Sequence, residues 1–321
     1  VFTMYQQLIE DFIKLEGLPP SYAEDATVWF LPLLAELETR LSNKKQRPLV
    51  IGINGAQGTG KSTLAKLLSL LLETRGLYTA NLSIDDFYLS RARRLELAAE
   101  VHPLLACRGV PGTHDTQTAL QILHALRHAT ASDTVILPLF DKATDDCVPA
   151  GLCPRLNGPI DVIILEGWFV GARPQPDTEL EKPINELEAL EDADGRWRHF
   201  VNQRLAAGYQ PLFSQLDFLI LLKAPGFEQV YEWRQLQEEK LRRRAPSNAS
   251  GLMDDSEVRR FIQHFERLTR HCLSCSLRSL WIRLRSADKA YCYFCLSRAS
   301  YFSMISSMSS FIFSYSSCSS C

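Results

Sequence analysis

The sequence predicts an α/β fold in which helices cover both faces of a doubly wound parallel sheet. Two observations support this prediction. Short apolar runs rich in β-branched residues alternate with segments of helical periodicity. Polar clusters follow directly after several of these runs. Since ligands in such folds gather beyond the carboxyl ends of the strands, the polar clusters are the candidate functional residues.

The chain divides into three parts. Residues 1–47 have helical periodicity on both sides of a Pro-Pro pair and form a predicted N-terminal helical segment. Residues 48–271 carry the α/β pattern, with an acidic, proline-rich insert at about 173–195 that we expect on the surface. Residues 272–321 lack glycine and proline and are rich in serine and cysteine. We interpret this tail as out of frame or disordered, so the sheet would lack its last strand.

The predicted elements of the α/β part follow from its periodicity. The near-continuous apolar run at 161–165 is typical of a parallel strand that is covered on both faces. The predicted strands are 50–53, 79–84, 161–165 and 217–222, with a short apolar run at 135–139. The predicted helices are 64–72, 117–126, 227–241 and 254–269.

A glycine-rich turn joins the first of these strands to the first helix. It reads Gly55-Ala56-Gln57-Gly58-Thr59-Gly60-Lys61-Ser62-Thr63. The glycines let successive backbone N–H groups point at a polyphosphate, and the helix N-terminus adds its dipole. Lys61 can reach the terminal phosphates, and the Ser62 hydroxyl can hold Mg²⁺. The pattern therefore predicts the P-loop NTPase fold, with ATP bound to residues 55–63.

Carboxylates follow two of the other predicted strands. Asp85 and Asp86 follow the strand at 79–84, where a carboxylate can accept a proton from an attacking hydroxyl group. The alternative is that they cap the next helix. Glu166 ends the strand at 161–165, where carboxylates bind Mg²⁺ or its water, although a strand-end Glu can also be a plain surface residue.

Three further segments have both a functional and a structural interpretation. In the loop at 108–115, His114 can be a structural histidine and Asp115 a helix cap, or both can bind substrate. Arg242, Arg243 and Arg244 can form a lid over the transferred phosphate or a solvated face. Two Cys-x-x-Cys pairs after residue 271 have the spacing of a zinc ribbon, but the glycine turns that zinc knuckles need are missing there.

Composition argues against several classes of partner. The formal net charge is −2, so no global field favours nucleic acid or an anionic membrane. No run approaches the roughly 18 apolar residues of a membrane span. Three of the nine cysteines precede residue 272, which suits a reducing compartment, and we expect a cytoplasmic location.

Several motifs occur in a fixed order along residues 5–271, and together they resemble the D-glycerate 3-kinase family of plants and fungi and its bacterial P-loop kinase relatives. That group is similar to phosphoribulokinase, uridine kinase and pantothenate kinase. The motifs are Gly-x-x-x-x-Gly-Lys-Ser at 55–62, Ser-Ile-Asp-Asp-Phe-Tyr at 83–88, Arg-Gly-Val-Pro-Gly-Thr-His-Asp at 108–115, Pro-Leu-Phe-Asp-Lys at 138–142, Leu-Glu-Gly-Trp at 165–168 and Trp-Arg-Gln-Leu-Gln-Glu at 233–238.

The resemblance implies an ATP-dependent kinase that phosphorylates the primary hydroxyl of D-glycerate. It implies Asp85 as the base, Lys61 and Glu166 as further catalytic residues, and Ser62 with Glu166 as ligands of Mg²⁺. The implied substrate side comprises Asp86, Tyr88, Arg108, His114, Asp115 and Lys142. The carboxylate of the substrate needs a cation, for which Arg108 and Lys142 are the candidates.

Two alternatives to a glycerate kinase remain at this point. The same reaction can act on another hydroxyl compound, such as a nucleoside or a pantothenate-like molecule. A P-loop NTPase switch or assembly protein is a different class, but the guanine-reading Asn-Lys-x-Asp motif is missing from the sequence. The strand-end carboxylates favour a kinase.

Overall fold

A computed structural model of the chain describes residues 2–44, 47–244, 254–278 and 290–295. The helices are α1 Phe2–Glu16, α2 Tyr22–Asp25, α3 Leu31–Asn43, α4 Lys61–Glu73, α5 Arg91–Glu100, α6 Thr116–His128, α7 Glu186–Glu191, α8 Arg196–Arg204, α9 Gln210–Phe213, α10 Phe227–Arg244 and α11 Asp255–Arg278. The strands are β1 Leu49–Gly55, β2 Thr79–Ser83, β3 Thr134–Ile136, β4 Phe140–Asp141, β5 Asp146–Cys147, β6 Arg155–Asn157, β7 Val162–Gly167, β8 Phe218–Lys223 and β9 Ala290–Cys295.

The predicted doubly wound parallel sheet is confirmed. Five strands form it in the order β2-β7-β1-β8-β9, and every neighbouring pair is parallel. The order reverses direction at β1, because β7 lies on one side of it and β8 on the other. Such a reversal opens a crevice at the carboxyl ends of the strands, where ligands bind in this class of sheet.

Alternate residues of the central strands pack into two separate cores. Ile51 and Ile53 of β1 join the first core, which contains the inner sides of α1, α3, α4 and α10. Val50 of the same strand joins the second core, with residues of α6, α9 and α11. Since successive side chains of a strand point to opposite faces, helices cover both faces of the sheet, as predicted.

A long excursion of the chain connects β2 to β7, although these two strands are hydrogen-bonded neighbours in the sheet. It holds α5, α6 and two small antiparallel hairpins, β3 with β6 and β4 with β5. The structure adds α5, which the sequence pattern did not predict. Because the two strands are parallel, the excursion starts at the carboxyl edge of the sheet and returns to its amino edge.

The expectation of a missing last strand is wrong. Helix α11 continues through Cys272 to Arg278, and β9 pairs with β8 along its whole length, from Phe218–Ala290 to Lys223–Cys295. Aromatic residues favour strands, so the aromatic residues at 290–295 are no evidence against a strand. The other residues after 278 lie outside the described part of the chain.

Most residues of the acidic insert at 173–195 are exposed, but two of its acidic residues are buried. Glu188 of α7 is fully buried, and both of its carboxylate oxygens accept hydrogen bonds from Arg267 of α11, at 2.7 and 2.6 Å. The buried Asp192 is paired with Arg198 at 2.9 Å. These acidic residues hold the insert against the domain, since a buried carboxylate needs such a partner. None of the described helices is long and apolar enough to cross a membrane.

Candidate active site

The glycine-rich turn closes tightly between β1 and α4. Gly58 and Gly60 both adopt positive φ, at 82° and 79°, a region that glycine enters at no steric cost. A Cβ on Gly55 would lie 2.4 Å from Thr59 Oγ1, so a side chain there would collide with the turn. The Thr59 hydroxyl donates to Ala56 O at 2.8 Å and holds the turn closed. The backbone thus has the shape that the phosphate-binding interpretation requires.

The cationic and metal-binding candidates of this turn lie close to Glu166. Lys61 Nζ donates to Ala56 O at 3.3 Å, which folds the side chain back over the turn. Burial lowers the pKa of Lys61, while the charges of Glu166 and Asp85 act in the opposite direction. The Ser62 hydroxyl donates to Glu166 Oε1 at 2.8 Å. The structure therefore brings the lysine and the hydroxyl at the start of α4 close to a carboxylate at the end of β7.

Strand register explains why Glu166 and Asp85 face the same crevice. Glu166 on β7 lies opposite Ile53 of β1 on one side and Ser83 of β2 on the other. The glycine-rich turn starts two residues after Ile53, and Asp85 lies two residues after Ser83. Ser83 Oγ accepts a hydrogen bond from Asp85 N and starts a short 3₁₀ turn over 84–87. Three strand ends thus converge, as the sequence predicted.

Asp85 is held by two polar partners. Lys142 Nζ donates to its Oδ2 at 2.6 Å, and the Tyr88 hydroxyl donates to its Oδ1 at 2.9 Å. Burial alone would raise the pKa of Asp85, but the ion pair with Lys142 and the charge of Lys61 lower it well below the ordinary value. Asp85 is therefore ionised at neutral pH, which is the state that a proton acceptor needs.

The neighbouring Asp86 has a different environment. Its Oδ1 accepts a hydrogen bond from Phe140 N at 3.3 Å. Burial raises its pKa to about 6, and the negative charge of Asp85 adds to this effect, while the hydrogen bond from Phe140 opposes it. The two adjacent carboxylates therefore differ in charge state in mildly acidic solution, which separates their possible roles.

Arg108 faces a carboxylate of its own chain. It forms an ion pair with Asp145, which also pairs with Arg94 at 2.8 Å. Arg94, only 1% exposed, donates further to the carbonyl oxygens of Leu89 and Ala106. The guanidinium of Arg108 is thus already paired, but Arg94 shares the same carboxylate, so the binding of a substrate carboxylate by Arg108 stays a prediction.

The Asp145 cluster fixes the position of Lys142. Asp145 lies on the β4–β5 hairpin that carries Lys142, and Arg108 and Arg94 tie that hairpin to the loops around α5. Arg94 lies in an arginine-rich segment, and such charge runs are usually solvated. The sequence pattern therefore gave no indication that its side chain is buried. The cluster therefore supports the hairpin that carries Lys142.

Asp145→Asn should lower the free energy of unfolding by about 3 kcal/mol, the lower end of the range for a broken buried ion pair. Asparagine tolerates the positive φ of 58° at this position, so the loss would reflect charge rather than backbone strain. Urea denaturation checks this. Asp11→Ala is the control, because its ion pair with Lys14 is exposed and should contribute at most about 1 kcal/mol. Equal stability of Asp145→Asn and the unaltered protein would contradict the assignment.

The loop at 108–115 has one structural and one site-facing residue. Asp115 caps α6, with its carboxylate accepting from Thr118 N at 2.9 Å and Thr118 Oγ1 at 2.7 Å. The alternative interpretation of Asp115 as a helix cap is therefore the correct one. His114 instead is buried against Tyr88, whose ring it faces at 4.3 Å between centroids. Its Nδ1 lies 2.7 Å from the hydroxyl of Tyr209, a residue that the sequence pattern did not single out.

Helix α10 touches the glycine-rich turn. A Cβ on Gly58 would lie 3.2 Å from Cβ of Trp233, which is buried near the start of the helix. The backbone of α10 extends to Arg244, so the predicted lid arginines Arg242, Arg243 and Arg244 end this helix. Their side chains lie outside the described part of the chain. The lid assignment stays a prediction.

Comparison with known proteins identifies relatives of this site. The sequence matches no model of a known protein family. It is 33% identical over 232 residues to the uncharacterized kinase mug58 of Schizosaccharomyces pombe, covering 68% of this chain and 79% of that protein. It is 30% identical over 225 residues to the chloroplastic D-glycerate 3-kinase of Arabidopsis thaliana. That match covers 68% of this chain and 46% of the plant protein.

The fold has solved counterparts as well. The structure of D-glycerate 3-kinase from Cryptococcus neoformans superimposes with a TM-score of 0.63 at 28% sequence identity. The superposition covers 76% of this chain and 88% of the fungal one. The similarity therefore extends over most of both chains rather than over the glycine-rich turn alone.

Proposed function

Because the chain belongs to the D-glycerate 3-kinase family of ATP-dependent P-loop kinases, we propose that it transfers the γ-phosphoryl group of ATP to the primary hydroxyl of D-glycerate. The observation that carries this proposal is the convergence of Lys61, Asp85 and Glu166 at three neighbouring strand ends. A phosphate loop alone suits any NTPase, but an ionised carboxylate beside it suits transfer to a hydroxyl group.

The nucleotide half of the site is residues 55–63. The backbone N–H groups of the turn and the N-terminus of α4 bind the phosphates, and Lys61 moves from Ala56 O to the terminal phosphate oxygens. Ser62 and Glu166 suit Mg²⁺, because a hydroxyl and a carboxylate in contact at 2.8 Å are oxygen donors of the kind it prefers. When bound, Mg²⁺ neutralises charge on the phosphates.

Asp85 acts as the base. Its carboxylate accepts the proton of the substrate hydroxyl, the hydroxyl oxygen forms a bond to the γ-phosphorus, and the bond to the β-phosphate oxygen breaks to release ADP. The ion pair with Lys142 keeps Asp85 ionised until the substrate arrives. Tyr88, which donates to the other carboxylate oxygen, keeps that oxygen oriented.

Lys142 is the cation for the carboxylate of the substrate. Its ammonium group lies at the site, paired with Asp85 and about 39% exposed, whereas Arg108 is engaged with Asp145. An ammonium that binds both carboxylates would bring the acceptor close to its base. Residues 48–271 form the kinase domain in this proposal, and a cytoplasmic location stays a prediction from cysteine usage.

The substrate assignment is tested by incubating the purified full chain with Mg·ATP and each of D-glycerate, pantothenate and uridine. We expect ADP release that depends on D-glycerate and yields 3-phosphoglycerate. The kcat/KM for the other two compounds should be at least roughly tenfold lower, because the carboxylate of pantothenate is remote from its hydroxyl groups and uridine has no carboxylate. Turnover of pantothenate or uridine without turnover of D-glycerate would refute the proposed substrate and leave the kinase reaction in place.

A further inference from the structure

A pair of buried residues behind Asp85, His114 and Tyr209, has a defined hydrogen-bond geometry. They are 5% and 1% exposed. Tyr209 Oη accepts a hydrogen bond from Gly112 N at 2.9 Å and lies 2.7 Å from His114 Nδ1. His114 Nε2 is buried and, within the described residues, has no hydrogen-bond partner.

The positions of the protons follow from these contacts. If Tyr209 donates to Nδ1, its hydroxyl is satisfied, and the neutral ring carries its proton on Nε2 as the single unsatisfied group. If Nδ1 donates to Tyr209 instead, the tyrosine hydrogen and the Nε2 lone pair are both left without a partner. Since each unsatisfied buried polar group costs about 1–3 kcal/mol, the first arrangement is favoured.

The imidazole ring lies beside the base of the proposed reaction. His114 stacks on Tyr88 with ring centroids 4.3 Å apart and ring planes at 28°, and the Tyr88 hydroxyl reaches Asp85 at 2.9 Å. The backbones of Tyr88 and His114 also form an antiparallel bridge. Tyr209 packs edge-on against the same ring at 5.7 Å and Phe169 packs against it in a tilted orientation at 5.6 Å, which leaves the ring little freedom to turn.

Neither His114 nor Tyr209 carries a charge at neutral pH that would disturb this hydrogen bond. Burial lowers the pKa of His114 to about 3, although the nearby Asp85 opposes the shift. Burial also raises the pKa of Tyr209 far above its ordinary value. At neutral pH both groups are therefore uncharged, and the pair offers one N–H donor to a ligand.

We propose that Tyr209 is a positioning residue that holds His114 as the Nε2–H tautomer, so that Nε2 donates a hydrogen bond to an oxygen of the phosphoryl acceptor. The proposal rests on the proposed function, because the acceptor is taken to be a small hydroxy acid. It adds a neutral donor to the cation Lys142 on the acceptor side. A neutral donor selects for an oxygen at a defined position rather than for negative charge in general.

Nitrogen-15 NMR of the unliganded protein tests the tautomer directly. We expect a protonated Nε2 and an unprotonated Nδ1 for His114, assigned by comparison with His114→Gln. In Tyr209→Phe the rings still pack, but Nδ1 loses its donor, and we expect a population with protonated Nδ1. A protonated Nδ1 in the unaltered protein would overturn the proposal.

Steady-state kinetics tests the donor role. Tyr209→Phe should raise the KM for D-glycerate roughly tenfold, the effect of one lost hydrogen bond, with the KM for ATP unchanged within about twofold. Tyr22→Phe is the matched control, because Tyr22 is equally buried and its hydroxyl has no partner among the described residues. It should leave both constants unchanged. An unchanged KM for D-glycerate in Tyr209→Phe would overturn the donor role.

Two histidine replacements separate the ring nitrogens. The amide nitrogen of His114→Gln can replace Nε2, and that of His114→Asn can replace Nδ1. We expect His114→Gln to retain more affinity for D-glycerate than His114→Asn, with ATP binding as the measure of correct folding in both. The reverse order would contradict the proposal. If the unaltered chain does not phosphorylate D-glycerate, the proposed substrate fails, while the NMR result still decides the tautomer.

Discussion

Lys61→Ala should lower kcat for phosphoryl transfer by roughly 10²–10³-fold or more, because one preorganised donor to the developing charge is lost. The fold should be retained, since the side chain is half-buried over a turn and its described hydrogen bond goes to Ala56 O at 3.3 Å. Coupled measurement of ADP release checks the rate, and thermal unfolding checks the fold.

The matched control is Lys66→Ala on the same helix. Lys66 pairs with Glu16 of α1 at 2.8 Å and lies away from the strand ends, so its removal should leave kcat unchanged. A stability loss of at most about 1 kcal/mol is expected for this partly exposed pair. If Lys61→Ala turned over ATP at a rate near that of Lys66→Ala, the residues at 55–63 would not be the phosphate site.

Asp85→Asn should lower kcat by roughly 10²–10⁴-fold, with little change in the KM for ATP, because a base acts in the chemical step. The amide is close in shape to the carboxylate and can still accept from the Tyr88 hydroxyl, so the loss would reflect the missing proton acceptor. Single-turnover kinetics with saturating ATP would separate chemistry from nucleotide binding.

Asp86→Asn tests the choice between the two adjacent carboxylates. Asp86 accepts from Phe140 N, and its raised pKa of about 6 means that it loses negative charge as the pH falls through this value. We expect a decrease in kcat of at most about tenfold for this variant, through displacement of the β4–β5 hairpin. A larger loss in Asp86→Asn than in Asp85→Asn would transfer the role of base to Asp86.

Local sequence patterns predicted four of the five strands of the sheet and the glycine-rich turn between β1 and α4. Buried parallel strands such as β7 read as continuous apolar runs, and the glycine-rich turn needs its residue types at fixed spacing. The carboxyl ends of parallel strands meet at one edge, so Asp85 and Glu166 could be placed together before any coordinates were known. Their register across β7 agrees with that expectation.

The acceptor side depends on contacts between residues far apart in the sequence. Asp145 reaches Arg94 and Arg108, and Tyr209 reaches His114 from 95 positions away. No periodicity or spacing marks such pairs, because each partner alone reads as an ordinary loop or helix residue. The same reason explains why the ion pair of Arg108 with Asp145 could not be inferred from the sequence, whereas the capping role of Asp115, whose partner Thr118 lies three residues away, could be.

The excursion between β2 and β7 carries most of the residues that we assign to the acceptor side of the site. Asp86, Arg108, His114 and Lys142 all lie on this one uninterrupted stretch, while the phosphate loop and the five-stranded sheet lie outside it. The stretch also carries Asp85 and the apolar residues of α6 that pack against the sheet, so an exchange within it must retain these. We therefore expect changes in the acceptor to arise mainly from substitutions in this stretch and at position 209, while the phosphate loop and Asp85 are retained.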